Sequence, residues 1–130
     1  MVNNVELFSD AKASTVLAPR TRQELLRRAK AKYDENHEDF DAVVAYADAL
    51  FNSHKFVEAE AILKEACALR ETPDLIFNRA FVTCINGKEE EAKELYRKVI
   101  ELSQDTALAK SAEYELWKMG EKIEARWLKK

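Results

Sequence analysis

Two histidines, two cysteines and many carboxylates are the side chains in this sequence from which covalent or acid–base chemistry near neutral pH would first be sought. Nucleophilic catalysis needs a nucleophile, a base and a group that orients the base. His37 and His54 both fall in predicted turns, where solvated side chains are the ordinary outcome. Cys67 and Cys84 lie in stretches read as helical and belong to no CxxC or His/Cys cluster, so they read as buried free thiols. That usage points weakly to a reducing compartment. There is no glycine-rich phosphate loop and no HExxH. The run Lys88-Glu89-Glu90-Glu91 reads as a solvated helix start favoured by the helix dipole. Carboxylate pairs are so frequent that none is diagnostic. We therefore expect no enzyme, no metal and no cofactor.

Arg20, Arg22, Arg27, Arg28, Lys30 and Lys32 form a basic stretch broken only by Glu24, and Asp34, Glu35, Glu38, Asp39 and Asp41 follow at once. Adjacent blocks of opposite sign are expected to cancel or to complement a neighbour rather than bind nucleic acid. The net charge of −3 and the lack of aromatics interleaved with the bases argue the same way. A nucleic-acid accessory role through residues 20–32 remains a third reading.

The elements that must carry these residues are helices. Glycine and proline number two each, which favours long helices over many short strands. Charged residues make up 35% of the 130-residue chain, as thin helical layers with much surface would require. No apolar run approaches a membrane span, and the first residues do not resemble a signal peptide, so a cytoplasmic location is expected. Residues 1–18 show no sustained period and form a tail, disordered or docked, with apolar Val5, Leu7, Phe8, Val16 and Leu17. Residues 19–130 form one helical domain. Thr21 is the predicted cap of a helix over about 21–35, with Glu24 completing a capping box. Further helices are predicted over about 41–53, 56–70, 73–86, 89–102, 105–119 and from 121 onward, seven in all, with Asp39 or Asp41, Thr72 and Asp105 at their starts. Connections this short make neighbours antiparallel.

A 33-residue period runs through this pattern. Gly87 and Gly120 are 33 apart, and so are successive members of the set Ala59, Ala92 and Ala125. Leu50, Thr83 and Leu116 share a register, as do Leu63 with Tyr96 and Leu69 with Leu102. One helical hairpin with two short turns fills such a period and must stack on its neighbour to bury both faces. The small residues Ala47 and Ala80 on first helices, and Ala59, Ala92 and Ala125 on second helices, suit the close crossing of each pair.

In these residues the chain resembles the tetratricopeptide repeat family over roughly residues 40–130. That family places a small residue in the first helix and an aromatic or leucine three residues later. Glycine follows in the turn, alanine early in the second helix, and an aromatic four residues beyond. One unit reads Ala47, Leu50, His54, Ala59, Leu63, Ala66; the next reads Ala80, Thr83, Gly87, Ala92, Tyr96, Val99; an incomplete third reads Glu113, Leu116, Gly120, Ala125. Arg79, where leucine is usual, and Glu113, where a small residue is usual, depart from the pattern. The resemblance implies an all-α fold of antiparallel helix hairpins stacked as a short right-handed solenoid.

The resemblance also implies a concave groove that takes a protein ligand. Its face would be Val44, Asp48, Phe51 and Asn52 in the first unit, Phe77, Asn78, Phe81 and Ile85 in the second, and Lys110, Tyr114, Trp117 and Lys118 in the third. Some members clamp a terminal carboxylate there with basic and asparagine side chains. Asn78 fits that clamp and Lys110 lies near its basic part, but Val44 and Asp48 stand where lysine and asparagine belong, and a negative Asp48 would repel the carboxylate. A hydrophobic or amphipathic peptide or helix is the expected ligand. The implied function is an adaptor or scaffold. The nearest rival is a chaperone for an aggregation-prone subunit, as some acidic bacterial repeat proteins of secretion systems are. Ile123, Trp127 and Leu128 at the C-terminal edge, or the apolar tail, could also join two copies.

Overall fold

A computed structural model of the chain describes residues 19–121, and every regular element in that span is a helix. The six are α1 (Pro19–Glu35), α2 (Phe40–Asn52), α3 (Phe56–Leu69), α4 (Pro73–Ile85), α5 (Glu89–Leu102) and α6 (Ala107–Lys118). The expected seventh helix, with Ala125, Trp127 and Leu128, and the tail at 1–18 lie outside the described residues. The fold class is all-α, and within two compact units α1 packs on α2, α4 on α5 and α5 on α6, each with its neighbour in sequence. The chain divides into two compact units at Ile62/Leu63, within α3.

The starts of these helices follow from their capping residues. The Asp39 carboxylate accepts from the Ala42 amide at 3.3 Å, and Thr72 Oγ1 accepts from the Leu75 amide at 3.2 Å, with Pro73 in the first turn. Two predicted starts are corrected. Thr21 lies inside α1, which begins at Pro19; proline has no N–H to leave unsatisfied in a first turn, so it extends the helix rather than ending the tail. Asp105 does not open α6. It takes a positive φ of 65°, and Thr106 is the cap instead, its Oγ1 accepting from the Ala109 amide at 3.1 Å. α5 starts without any side-chain cap bond, and three acids in its first turn stand at the positive end of the dipole.

The helix ends display the 33-residue period in the backbone itself. His54, Gly87 and Gly120 have φ of 60°, 85° and 86°. The amide of each donates three residues back, to Phe51, Cys84 and Trp117, at 3.0, 2.9 and 3.0 Å. The next amide donates five residues back: Lys55 to Leu50, Lys88 to Thr83, and Glu121 to Leu116, at 2.9, 3.1 and 3.0 Å. This is a left-handed C-terminal cap repeated three times in register. Glycine suits two of these positions because nothing else adopts that φ so cheaply, and His54 takes it in the first unit.

In the first unit α1 packs against α2, and Val43, Ala47, Leu50 and Ala59 are almost wholly buried. Tyr33 is buried between the Tyr46 ring at 4.8 Å and the His37 ring at 4.2 Å. In the second unit α4 packs along α5, α5 along α6, and α4 also touches α6. With only residues 86–88 between α4 and α5, those two helices run antiparallel. Ala80 and Ala92 are fully buried, as the close crossing of a hairpin requires, and Leu63, Ile76, Tyr96, Val99, Ala112 and Leu116 fill the space around them. Leu69 and Leu102 share a register as expected, but both are exposed, at 41% and 50%, one near the end of each second helix.

Surface ion pairs trim the second unit. Lys98 reaches Glu71 at 2.9 Å, and Glu121 accepts from both Arg97 and Lys93, tying α5 to the turn after α6. Arg97 holds the Glu121 carboxyl below its ordinary range. Exposed pairs of this kind contribute little, typically below about 1 kcal/mol each.

Candidate functional site

The residues from which chemistry could come are dispersed. His37 is exposed, stacked on Tyr33, with Nε2 3.9 Å from the Asp34 carboxylate. His54 is also exposed and meets the Phe56 ring edge-on at 5.6 Å. Cys67 is buried and Cys84 half-buried, both as free thiols, and burial raises both pKa values. Among the described residues no group of three or more His, Cys, Asp or Glu side chains could hold a metal ion. Three of the bases of α1 are answered within its own helix: Glu24 pairs with Arg27 and with Arg28, and Lys30 pairs with Asp34 at 2.8 Å.

The second unit carries a different kind of feature, an apolar face with few charges. On α4, Phe77, Phe81 and Ile85 recur every four residues and so share one face. On α6, Tyr114 and Trp117 stand with Lys110 and Lys118 at helical spacing. Phe81, Ile85, Tyr114 and Trp117 are 40%, 44%, 42% and 49% exposed, high for side chains that gain so much from burial. α4 and α6 touch, and a shallow cleft of about 430 Å³ is lined by Phe77, Lys110, Ser111, Tyr114 and Glu115. Tyr114 and Trp117 lie with ring centroids 5.9 Å apart. Lys118 Nζ sits 4.8 Å above the Tyr114 ring and 3.2 Å from Glu115 Oε2, so its charge is already engaged. Lys110 stands exposed on the rim.

Phe77 serves two purposes. Its ring meets the buried Tyr96 edge-on at 5.4 Å, so it belongs partly to the core between α4 and α5 while also forming the wall of the cleft. Asn78 beside it is half-buried. Arg79, which departs from the family pattern, points a half-buried guanidinium toward Glu91, 3.9 Å from Nη2, and its Nε has no hydrogen-bond partner.

The four expected face residues of the first unit lie along α2. Val44 and Phe51 are half-buried, Asn52 is exposed, and Phe51 packs edge-on against Phe56 at 5.4 Å. Asp48 is the exception. It is only 9% exposed, its Oδ1 has no hydrogen-bond partner, and burial pushes its pKa up to about 6. The sequence presents Asp48 as a repulsive charge on an open face, whereas the structure buries it. Glu60, 3% exposed, is a second buried acid that the sequence does not single out. Both stand next to an alanine that is itself fully buried, Ala47 and Ala59, and that adjacency is the available signal.

No protein-family model matches this chain, and no curated protein is significantly similar to it.

Proposed function

We propose that this chain is a tetratricopeptide-like interaction module that takes a hydrophobic or amphipathic peptide or helix of a partner protein on the α4–α6 face, and that it catalyses nothing. One observation carries the reading: Phe81 and Ile85 on α4 and Tyr114 and Trp117 on α6 stand 40–49% exposed, on two helices that touch each other and whose other sides are packed, with Tyr114 also lining the cleft beside Phe77. Exposed apolar patches edged by charge are a common mark of protein-binding surfaces. The C-terminal caps of α4 and α6 fix the ends of both helices, so the aromatics are held in place before a ligand arrives and little ordering cost opposes binding. Covering the exposed parts of Phe81 and Trp117, roughly 90 and 120 Å², yields about 2 and about 3 kcal/mol at ~25 cal/mol per Å².

The adaptor reading is tested by affinity capture from an extract of the source cells, with the native chain beside the variant Phe81→Ala/Trp117→Ala. Phe77 is left intact because its loss would disturb the Tyr96 core. A protein held by the native chain and lost by the variant supports the reading. Equal retention by both moves the binding surface elsewhere. Whether such a partner is soluble alone separates an adaptor from a dedicated chaperone.

A further inference from the structure

We propose that the segment taken by the α4–α6 face is a single amphipathic helix of a partner protein, with carboxylate side chains about two turns apart along one border of its apolar stripe, met by Lys110 and Lys118. This rests on that face being a protein-binding surface.

The two helices of the face carry different chemistry at matching places. Short links set α4 and α6 each antiparallel to α5, and so parallel to each other. The 33-residue period matches Phe77 with Lys110, Phe81 with Tyr114 and Ile85 with Lys118, and Phe77 and Lys110 line one cleft. The row on α4 is wholly apolar. The row on α6 puts a lysine at each end of a tyrosine, the two lysines eight residues apart, about 12 Å along the helix. A helix laid along this groove meets apolar side chains on its α4 side and positive charge at two heights on its α6 side.

Size and charge select the occupant. The exposed parts of Phe81, Ile85, Tyr114 and Trp117 come to about 400 Å², half of the about 800 Å² that each partner brings to a standard interface between folded proteins. That falls short for a second copy of the chain and suits one helix. Residues 63–121 hold twelve acids and nine bases, yet Lys110 and Lys118 share the face with one acid, Glu115. Glu115 already holds Lys118 at 3.2 Å. Lys110 makes no ion pair among the described residues, although Asp105 and Glu113 line a second recess with it. Asp74, at the head of α4, stands at the positive end of the helix dipole. The charge left over is positive, so a bordering carboxylate complements it and a bordering lysine is repelled.

The experiment is a fluorescence-anisotropy titration of the full chain against a labelled synthetic helix of about 14 residues, long enough to pass both lysines. It has leucine along one stripe and is made in three forms, with Glu, Gln or Lys at two border positions two turns apart. At low salt the Glu form should bind the native chain about fivefold tighter than the Gln form, and the Lys form should bind most weakly. Lys110→Glu, at an exposed position where helicity is kept, should abolish or reverse that order. No binding of the Glu form, equal binding of all three, or an order unchanged by Lys110→Glu would overturn the proposal. Light scattering runs alongside: a dimer of the native chain that is lost in Phe81→Ala/Trp117→Ala would replace the helix by a second copy. Failure here is separable from failure of the adaptor reading, because three forms bound equally by the native chain and lost by Phe81→Ala/Trp117→Ala leave the apolar surface standing as a binding site.

Discussion

Replacing Asp48 by asparagine should make the protein more stable at neutral pH, and by an amount that depends on pH in a defined way. Asp48 is 9% exposed with an unpartnered Oδ1, and burial moves its pKa from 3.8 to about 6. A carboxyl whose folded pKa is raised is held more tightly as the neutral acid in the native state. Between pH 4 and 6 the native chain therefore binds more protons than the unfolded one, and stability falls as pH rises through that window. At about 1.4 kcal/mol per pKa unit, a rise of roughly two units corresponds to about 3 kcal/mol in all. The loss is complete above the folded pKa and absent below the unfolded one. The asparagine amide does not titrate, so Asp48→Asn should match the native chain within about 1 kcal/mol near pH 3.5 and exceed it by about 2–3 kcal/mol at pH 7.5. Urea unfolding followed by circular dichroism at several pH values measures this. The difference between the two proteins is the quantity to read, since every other acid titrates in both. A difference that stays flat with pH, or a variant less stable at pH 7.5, would refute the reasoning.

Thr72→Ala removes the oxygen that accepts from the Leu75 amide, and should cost about 1 kcal/mol in urea unfolding. Gly87→Ala places a Cβ where nothing lies within 4 Å, so its expected cost of about 1 kcal/mol, read by the same unfolding assay, comes only from the φ of 85°. Ala92→Leu forces three carbons into a fully buried helix crossing, and thermal unfolding should show a loss of about 1–3 kcal/mol; an unchanged midpoint would mean that the α4–α5 hairpin is looser than the burial implies.

The helices are legible in the sequence because their signals are local. Thr72-Pro73 and Asp39 cap through their own next few amides, and the glycines at 87 and 120 stop helices through their own φ. The period is legible because a hairpin demands small residues at fixed positions, and Ala59, Ala80 and Ala92 are there to be counted. Two starts differ from expectation where local rules compete. Pro19 can end a tail or begin a helix, and Asp105 and Thr106 are both competent caps, the choice falling to Thr106 because Asp105 tolerates a positive φ. The expected face is legible as a row of residues, but not its depth. Phe81 and Trp117 stand out, Phe77 leans on Tyr96, and Asp48 is withdrawn from water, distinctions that depend on neighbours distant in sequence. The sign of the charge can be read from the residue type, but its desolvation cannot.

That the exposed aromatics of α4 and α6 carry binding energy is tested most directly by a calorimetric titration of the captured partner against three proteins. These are the native chain, Phe81→Ala/Trp117→Ala, and Val57→Ala as a control, since Val57 is 72% exposed on α3. The double variant should bind about 100-fold or more weakly, the equivalent of about 3 kcal/mol or more, and the control should bind as the native chain does. Equal affinity for all three would contradict that claim and return Phe81 and Trp117 to the status of ordinary surface residues.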